Sequence, residues 1–168
     1  MLFVRTARMT SIEGADMNRP ILGIIGGVGP LATAYFMEAI IKKTPATTDQ
    51  DHIPMIVFND PQIPDRTAYI LDHTKPDPQP EMVKVAQWLE EAGADYIAIA
   101  CNTAHYFYDA ICKAVSIPVL NIMEETARRI AHEIGATGAV GLLATDGTIE
   151  SGVFQGYFET EGLRTIEP

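Results

Sequence analysis

Four runs of apolar, largely β-branched residues punctuate the chain: ILGIIG at 21–26, PMIVFN at 54–59, DYIAIA at 95–100 and GAVGLLA at 138–144. A shorter run, IPVLNI, follows at 117–122. These runs are nearly continuous rather than alternating, so each reads as a strand buried on both faces of a parallel sheet. Between them the spacing becomes helical. LATAYFMEAIIKKT at 31–44 carries apolar residues at Ala34, Met37, Ile40 and Ile41, and PEMVKVAQWLEEAGA at 80–94 repeats at Val83, Ala86 and Leu89. Gly93 ends the second of these, and Gly135 ends a third, EETARRIAHEIGA at 124–136, because glycine tolerates the left-handed conformation that closes a helix.

Strand alternating with helix predicts an α/β fold with a mainly parallel sheet and right-handed crossovers. The pattern breaks between 60 and 80, where five prolines occur; a connector that long in a compact domain is usually functional or mobile. Residues 1–19 read as an extension before the fold, with a faint transit-peptide character and Met17 as an alternative start. A length of 168 residues fits one domain, or one and part of another. A hydrophobic content of 47% excludes disorder. Acidic groups outnumber basic ones by 22 to 12, for a net charge of −10. That argues against a nucleic-acid or anionic-membrane partner, yet one well-placed arginine could still hold a small anion. Two cysteines form no disulfide framework and point to a reducing, cytoplasmic setting. No apolar run approaches the ~20 residues of a membrane span.

Candidate chemistry gathers where strands end. Cys101 follows the run at 95–100, with a helix expected two or three residues later. There the free amides of Asn102, Thr103 and Ala104 would point outward, and their partial positive charge favours a thiolate. The same position also suits a buried cysteine acting as a small hydrophobe. Cys112 lies eleven residues on, about 16 Å away at the rise of an α-helix, which excludes a shared disulfide, metal or substrate carbon. It reads as packing beside Tyr108 and Val115. His105 forms a conceivable Cys–His pair with Cys101, though spacing alone is weak support. His52, His73 and His132 show no metal-ligand spacing. Arg66 stands in the proline-stiffened loop that leaves the second strand, where ligands of open α/β sheets bind; it is a carboxylate anchor or a solvated surface residue. Gly27, Gly29 and Ala32 satisfy G-x-G-x-x-G/A, but no acid ends the second strand at the separation a dinucleotide site expects. That turn reads as a tight bend or a small-carboxylate site, with Pro30 opening the next helix. Thr145 and Thr148 flank Asp146 and Gly147 after the run at 138–144, either as a capped turn or as carboxylate donors.

Taken together, GIIGGVGPLATA, FNDPQIPDRTAYIL, ACNTAH, MEETA and GLLATDGTIESGV resemble the aspartate/glutamate racemase family, its aspartate-specific branch in particular. The resemblance implies two similar flavodoxin-like α/β domains, 20–116 and part of a second in 117–168, with the site in the cleft between them. It implies a racemase of a small acidic amino acid, aspartate or glutamate, working without a cofactor or metal and as a homodimer. Cys101 would be the first catalytic thiol. Asn102, Thr103 and the amide of Ala104 would meet the α-carboxylate, Arg66 the side-chain carboxylate, and Thr145 and Thr148 would face the cleft from the second domain. Asp146 departs from the family pattern and would be unhelpful if it pointed inward. The family's second cysteine, in a Gly-Cys-Thr segment, is not in this sequence, so the expectation is an incomplete second domain and impaired activity. The rival expectations are a non-catalytic carboxylate-binding module and a nicotinamide-dependent enzyme using the Gly-rich turn.

Overall fold

The computed structural model describes residues 19–135 and 137–167; most of the expected N-terminal extension lies outside them. The first unit runs β1 (Leu22–Gly26), α1 (Pro30–Lys43), β2 (Met55–Asn59), α2 (Arg66–Leu71), α3 (Gln79–Glu91), β3 (Tyr96–Ile99), a 3₁₀ turn (Thr103–Phe107), α4 (Tyr108–Ala114) and β4 (Val119–Leu120). The strands form one sheet in the order β2-β1-β3-β4, and every pairing is parallel. This is the flavodoxin-like order, in which the order of strand addition reverses between β1 and β3. The α/β class and parallel pairing expected from the sequence are therefore present.

Strand alternation divides the sheet between two faces. Ile25, Ile97 and Ile99 join Met82, Val85, Ala86 and Leu89 of α3 and Ile111 of α4 in the main core. Ile24 and Ala98 turn to the other face, where Ala98 and Phe36 of α1 line one groove. Burial on both faces holds for β1 and β3 but not throughout. β2 is only half-buried, and Ala139 and Gly141 of β5 are exposed. The reason is position: among the described residues β2 is an edge strand, and β5 has a single neighbour.

Four further elements follow: α5 (Ile122–Ile134), β5 (Ala139–Gly141), α6 (Asp146–Ser151) and α7 (Val153–Thr160), before β6 (Arg164–Ile166) pairs parallel to β5. Met123 and Ala127 of α5 pack with Leu142, Phe154, Phe158 and Leu163 in a second, smaller core. Asn121 caps α5 by accepting the Met123 and Glu124 amides at 2.9 and 3.1 Å. The helix Ala131 carbonyl is met by the amide of Gly135, whose φ of 83° needs no Cβ to be accommodated. Among the described residues no helix is long and apolar enough to cross a membrane.

Candidate functional site

The reversal of strand order between β1 and β3 creates a crevice at the carboxyl ends of those strands, and the residues that leave them meet there. Val28 follows β1, and Cys101 follows β3. Both line a cavity of about 700 Å³ with Ala32, Tyr35 and Phe36 of α1, and with Asn102, Thr103, Ile122, Leu143, Thr145 and Thr148. Val28, Cys101, Thr103 and Thr145 also border a second cavity of about 210 Å³, closed by Asp65, Arg66 and Thr67. The Cys101 side chain, half-buried, thus stands between a larger, mostly apolar space and a smaller one walled by a guanidinium.

Arg66 reaches this place because the proline-rich stretch contains a short helix that the sequence pattern did not reveal. The Asp65 carboxylate caps α2 by accepting the Ala68 amide at 2.7 Å, and Arg66 is the first helical residue. Its Nη1 donates to the Ile63 and Pro64 carbonyls at 3.1 and 2.9 Å. Its buried Nε has no hydrogen-bond partner among the described residues. One edge of the guanidinium is therefore spent on the chain, and a carboxylate would have to be met through the remainder. An Asp directly before an apolar stretch was the signal for this helix.

Three threonine hydroxyls join the two units. Thr103 Oγ1 lies 2.7 Å from Thr148 Oγ1 and 3.0 Å from Thr145 Oγ1, and the last two are 3.0 Å apart. Thr103 and Thr148 are buried, whereas Thr145, the N-cap of α6, is exposed. Gly147 permits this docking: a Cβ on it would sit 2.8 Å from Thr67 Cα and 2.7 Å from Thr67 Oγ1, so α6 lies directly on α2. Asp146 is exposed and borders neither cavity. Asn102 is exposed at the larger cavity, but Ala104 is fully buried in the main core and lines neither space.

The α-helix expected just beyond Cys101 starts later. A 3₁₀ turn occupies Thr103–Phe107, and α4 begins at Tyr108. Cys112 packs against the main core with Tyr108 and Val115. His105 is buried; its ring contacts main chain rather than the thiol, with Nδ1 2.9 Å from the Cys101 carbonyl oxygen and Nε2 accepting the Ile122 amide at 3.3 Å. Burial lowers the His105 pKa from its ordinary value, favouring the neutral ring. The Gly-rich turn is filled by its own chain. Thr33 Oγ1 accepts the Gly27 amide at 3.0 Å, and a Cβ on Gly27 would meet the Asp60 backbone at 2.2 Å. Gly27 serves a close backbone approach, Gly29 has open space where a Cβ would sit, and Val28 between them reaches both cavities. Among the described residues no group of three or more His, Cys, Asp or Glu side chains could hold a metal ion.

A parallel α/β fold of flavodoxin-like order, with a thiol, hydroxyls and a guanidinium gathered at its strand ends, defines the class. The profile of the Asp/Glu/Hydantoin racemase family matches residues 25–168, and the chain belongs to that family. It is 36% identical over 154 residues to the broad specificity amino-acid racemase RacX of Bacillus subtilis, covering 87% of this chain and 63% of the relative. A glutamate racemase of Corynebacterium glutamicum is 32% identical over 153 residues, covering 88% of this chain and 48% of that protein. Among solved structures, the aspartate racemase of Picrophilus torridus superposes with a TM-score of 0.78 at 34% identity, covering 89% of this chain and 62% of that one. The chain therefore spans less than two thirds of the length of these relatives.

Proposed function

We propose that the chain carries one catalytic half of a cofactor-independent amino-acid racemase, with an acidic amino acid, aspartate or glutamate, as substrate. The observation that carries the reading is the shared boundary of the two cavities, where Cys101, Thr103 and Thr145 lie between an open space and Arg66. The Cys101 thiolate removes the α-proton, forming an S–H bond as the Cα–H electron pair passes into a planar carbanion. Asn102, the Thr145 hydroxyl and neighbouring donors oppose the charge that grows on the α-carboxylate, the role that preorganised dipoles fill in such reactions. Arg66 meets the side-chain carboxylate. Inversion requires a second acid on the opposite face of Cα. Cys112 is not that group, because it is packed against the main core and lines neither cavity. This chain thus supplies one thiol of the two that the reaction uses. The boundary expected at 116/117 moves past β4, which pairs with β3; the first unit through Leu120 and the chain from Asn121 onward act as the two sides of the cleft, and the working protein is a cytoplasmic homodimer.

A second reading concerns breadth. Val28, Ala32, Phe36 and Leu143 give the larger cavity an apolar wall, which supports admission of apolar amino acids beside acidic ones. Carboxymethylation of Cys101 in the presence of a panel of D- and L-amino acids tests both readings, with Cys112 as the internal reference. The expected result is that aspartate or glutamate slows modification of Cys101 alone and that Arg66→Gln abolishes the protection. Protection by apolar amino acids as well as acidic ones favours the second reading. Equal Cys101 rates with and without every amino acid would remove both.

A further inference from the structure

Directly behind Cys101 the imidazole of His105 is almost enclosed, with 5% of the residue exposed. Its two ring nitrogens meet two main-chain groups of opposite kind. The Cys101 carbonyl, 2.9 Å from Nδ1, can only accept, and the Ile122 amide, 3.3 Å from Nε2, can only donate. Together they favour the neutral tautomer with its proton on Nδ1, although the Asn102 and Leu120 carbonyls also act on the ring. Tyr108 stacks on the ring with centroids 6.0 Å apart, and its own hydroxyl donates to the Val119 carbonyl at 2.8 Å. The second partner matters for where it lies. Ile122 opens α5 and lines the larger cavity, and the next residue, Met123, is buried in the second core. The imidazole is therefore a strut between the peptide that carries the thiol and the helix that starts the second unit.

We infer that His105 is a positioning residue for proton transfer at Cys101, acting by holding the Cys101 peptide and the first turn of α5 at a fixed separation. The inference rests on the reading of Cys101 as the reacting thiol. His105 itself moves no proton, since both of its nitrogens are engaged by main chain. Its effect is geometric: without the strut the thiol and the Thr145–Thr148 wall are held less closely in register, and reactions of this kind are sensitive to misplacement on the ångström scale.

The test combines imidazole nitrogen NMR on the 168-residue chain with two rates measured in His105→Phe and His105→Asn. Phenylalanine fills the space without either hydrogen bond, and asparagine keeps a donor for the Cys101 carbonyl. The wild-type ring is expected to show the Nδ1–H tautomer at neutral pH, a readout that needs no variant to fold. In His105→Phe, Cys101 carboxymethylation quickens severalfold as the peptide loosens while Cys112 does not change. Exchange of the aspartate α-proton falls about tenfold, in kcat rather than KM, as expected for a lost hydrogen bond of ordinary strength; His105→Asn recovers part of it. An Nε2–H tautomer in the wild type would overturn the inference, and so would a Cys101 rate that stays constant or rises only in step with Cys112. If Cys101 responds selectively but no protein exchanges the α-proton, the racemase reading fails while the strut stands.

Discussion

Three threonine hydroxyls have only three protons, and the triangle of Thr103, Thr145 and Thr148 has three contacts to fill. A cyclic arrangement uses every proton internally. Only Thr145, exposed at the cavity, can turn its proton outward to a ligand; Thr103 and Thr148 then keep their 2.7 Å contact. The two buried hydroxyls are thus structural and the exposed one is available for binding. Thr148→Val removes the shorter of the two contacts of the buried Thr103 hydroxyl, leaving Thr145 as its partner, and is expected to cost about 0.5–1.5 kcal/mol, read as a lowered unfolding midpoint. Thr145→Val should cost less stability but weaken aspartate binding by calorimetry. The reverse ranking would refute the division of roles. His105 adds a pH dependence. Its folded pKa is lowered by burial, so the unfolded chain takes up the proton first as pH falls. Its contribution to stability is full above about pH 6.5 and is lost below that as pH falls toward the lowered folded value. Urea midpoints of the wild type should therefore drop across this range more steeply than those of His105→Phe.

The short elements carry the site, and they are the ones the sequence pattern disclosed least. Helices α1, α3 and α5 lie where their apolar spacing places them, because each has enough turns for the period to show. Helix α2, with six residues, is too short for a period, and only the capping Asp65 marks it. Position along the strand was legible at Cys101 for a different reason: a buried run that stops at a polar pair must leave the sheet there. The 3₁₀ turn after it was not legible, since its cause is tertiary, with Thr103 bonded to α6 and His105 to the start of α5. Thr145 and Thr148 were visible as a capped turn, yet their partner Thr103 is 42 and 45 residues away, and no local pattern reports such a pairing. At this scale Gly147 is decisive. Gly147→Ala drives a methyl group into the Thr67 backbone and is expected to destabilise the fold by about 1–3 kcal/mol, as overpacking does. Aspartate affinity should fall with it, because α6 lifts Thr145 away from the cavity that Arg66 closes. Unchanged stability and affinity would mean that α6 does not rest on α2 as described.

Across the described residues the two units meet at the threonine triangle, the His105 strut and the seat of Gly147 on Thr67. Strand order locates the crevice, and these contacts set its width. On the proposed reading of Cys101 as the reacting thiol, the described residues deprotonate Cα from one face. Following the α-proton of D- and L-aspartate separately in heavy water, with chiral analysis of the recovered amino acid, tests this most directly. Deuterium is expected to enter one enantiomer with its configuration retained, and to enter neither with Cys101→Ala. Deuterium entry that survives Cys101→Ala, or inversion of both enantiomers at equal rates by this chain, would contradict it.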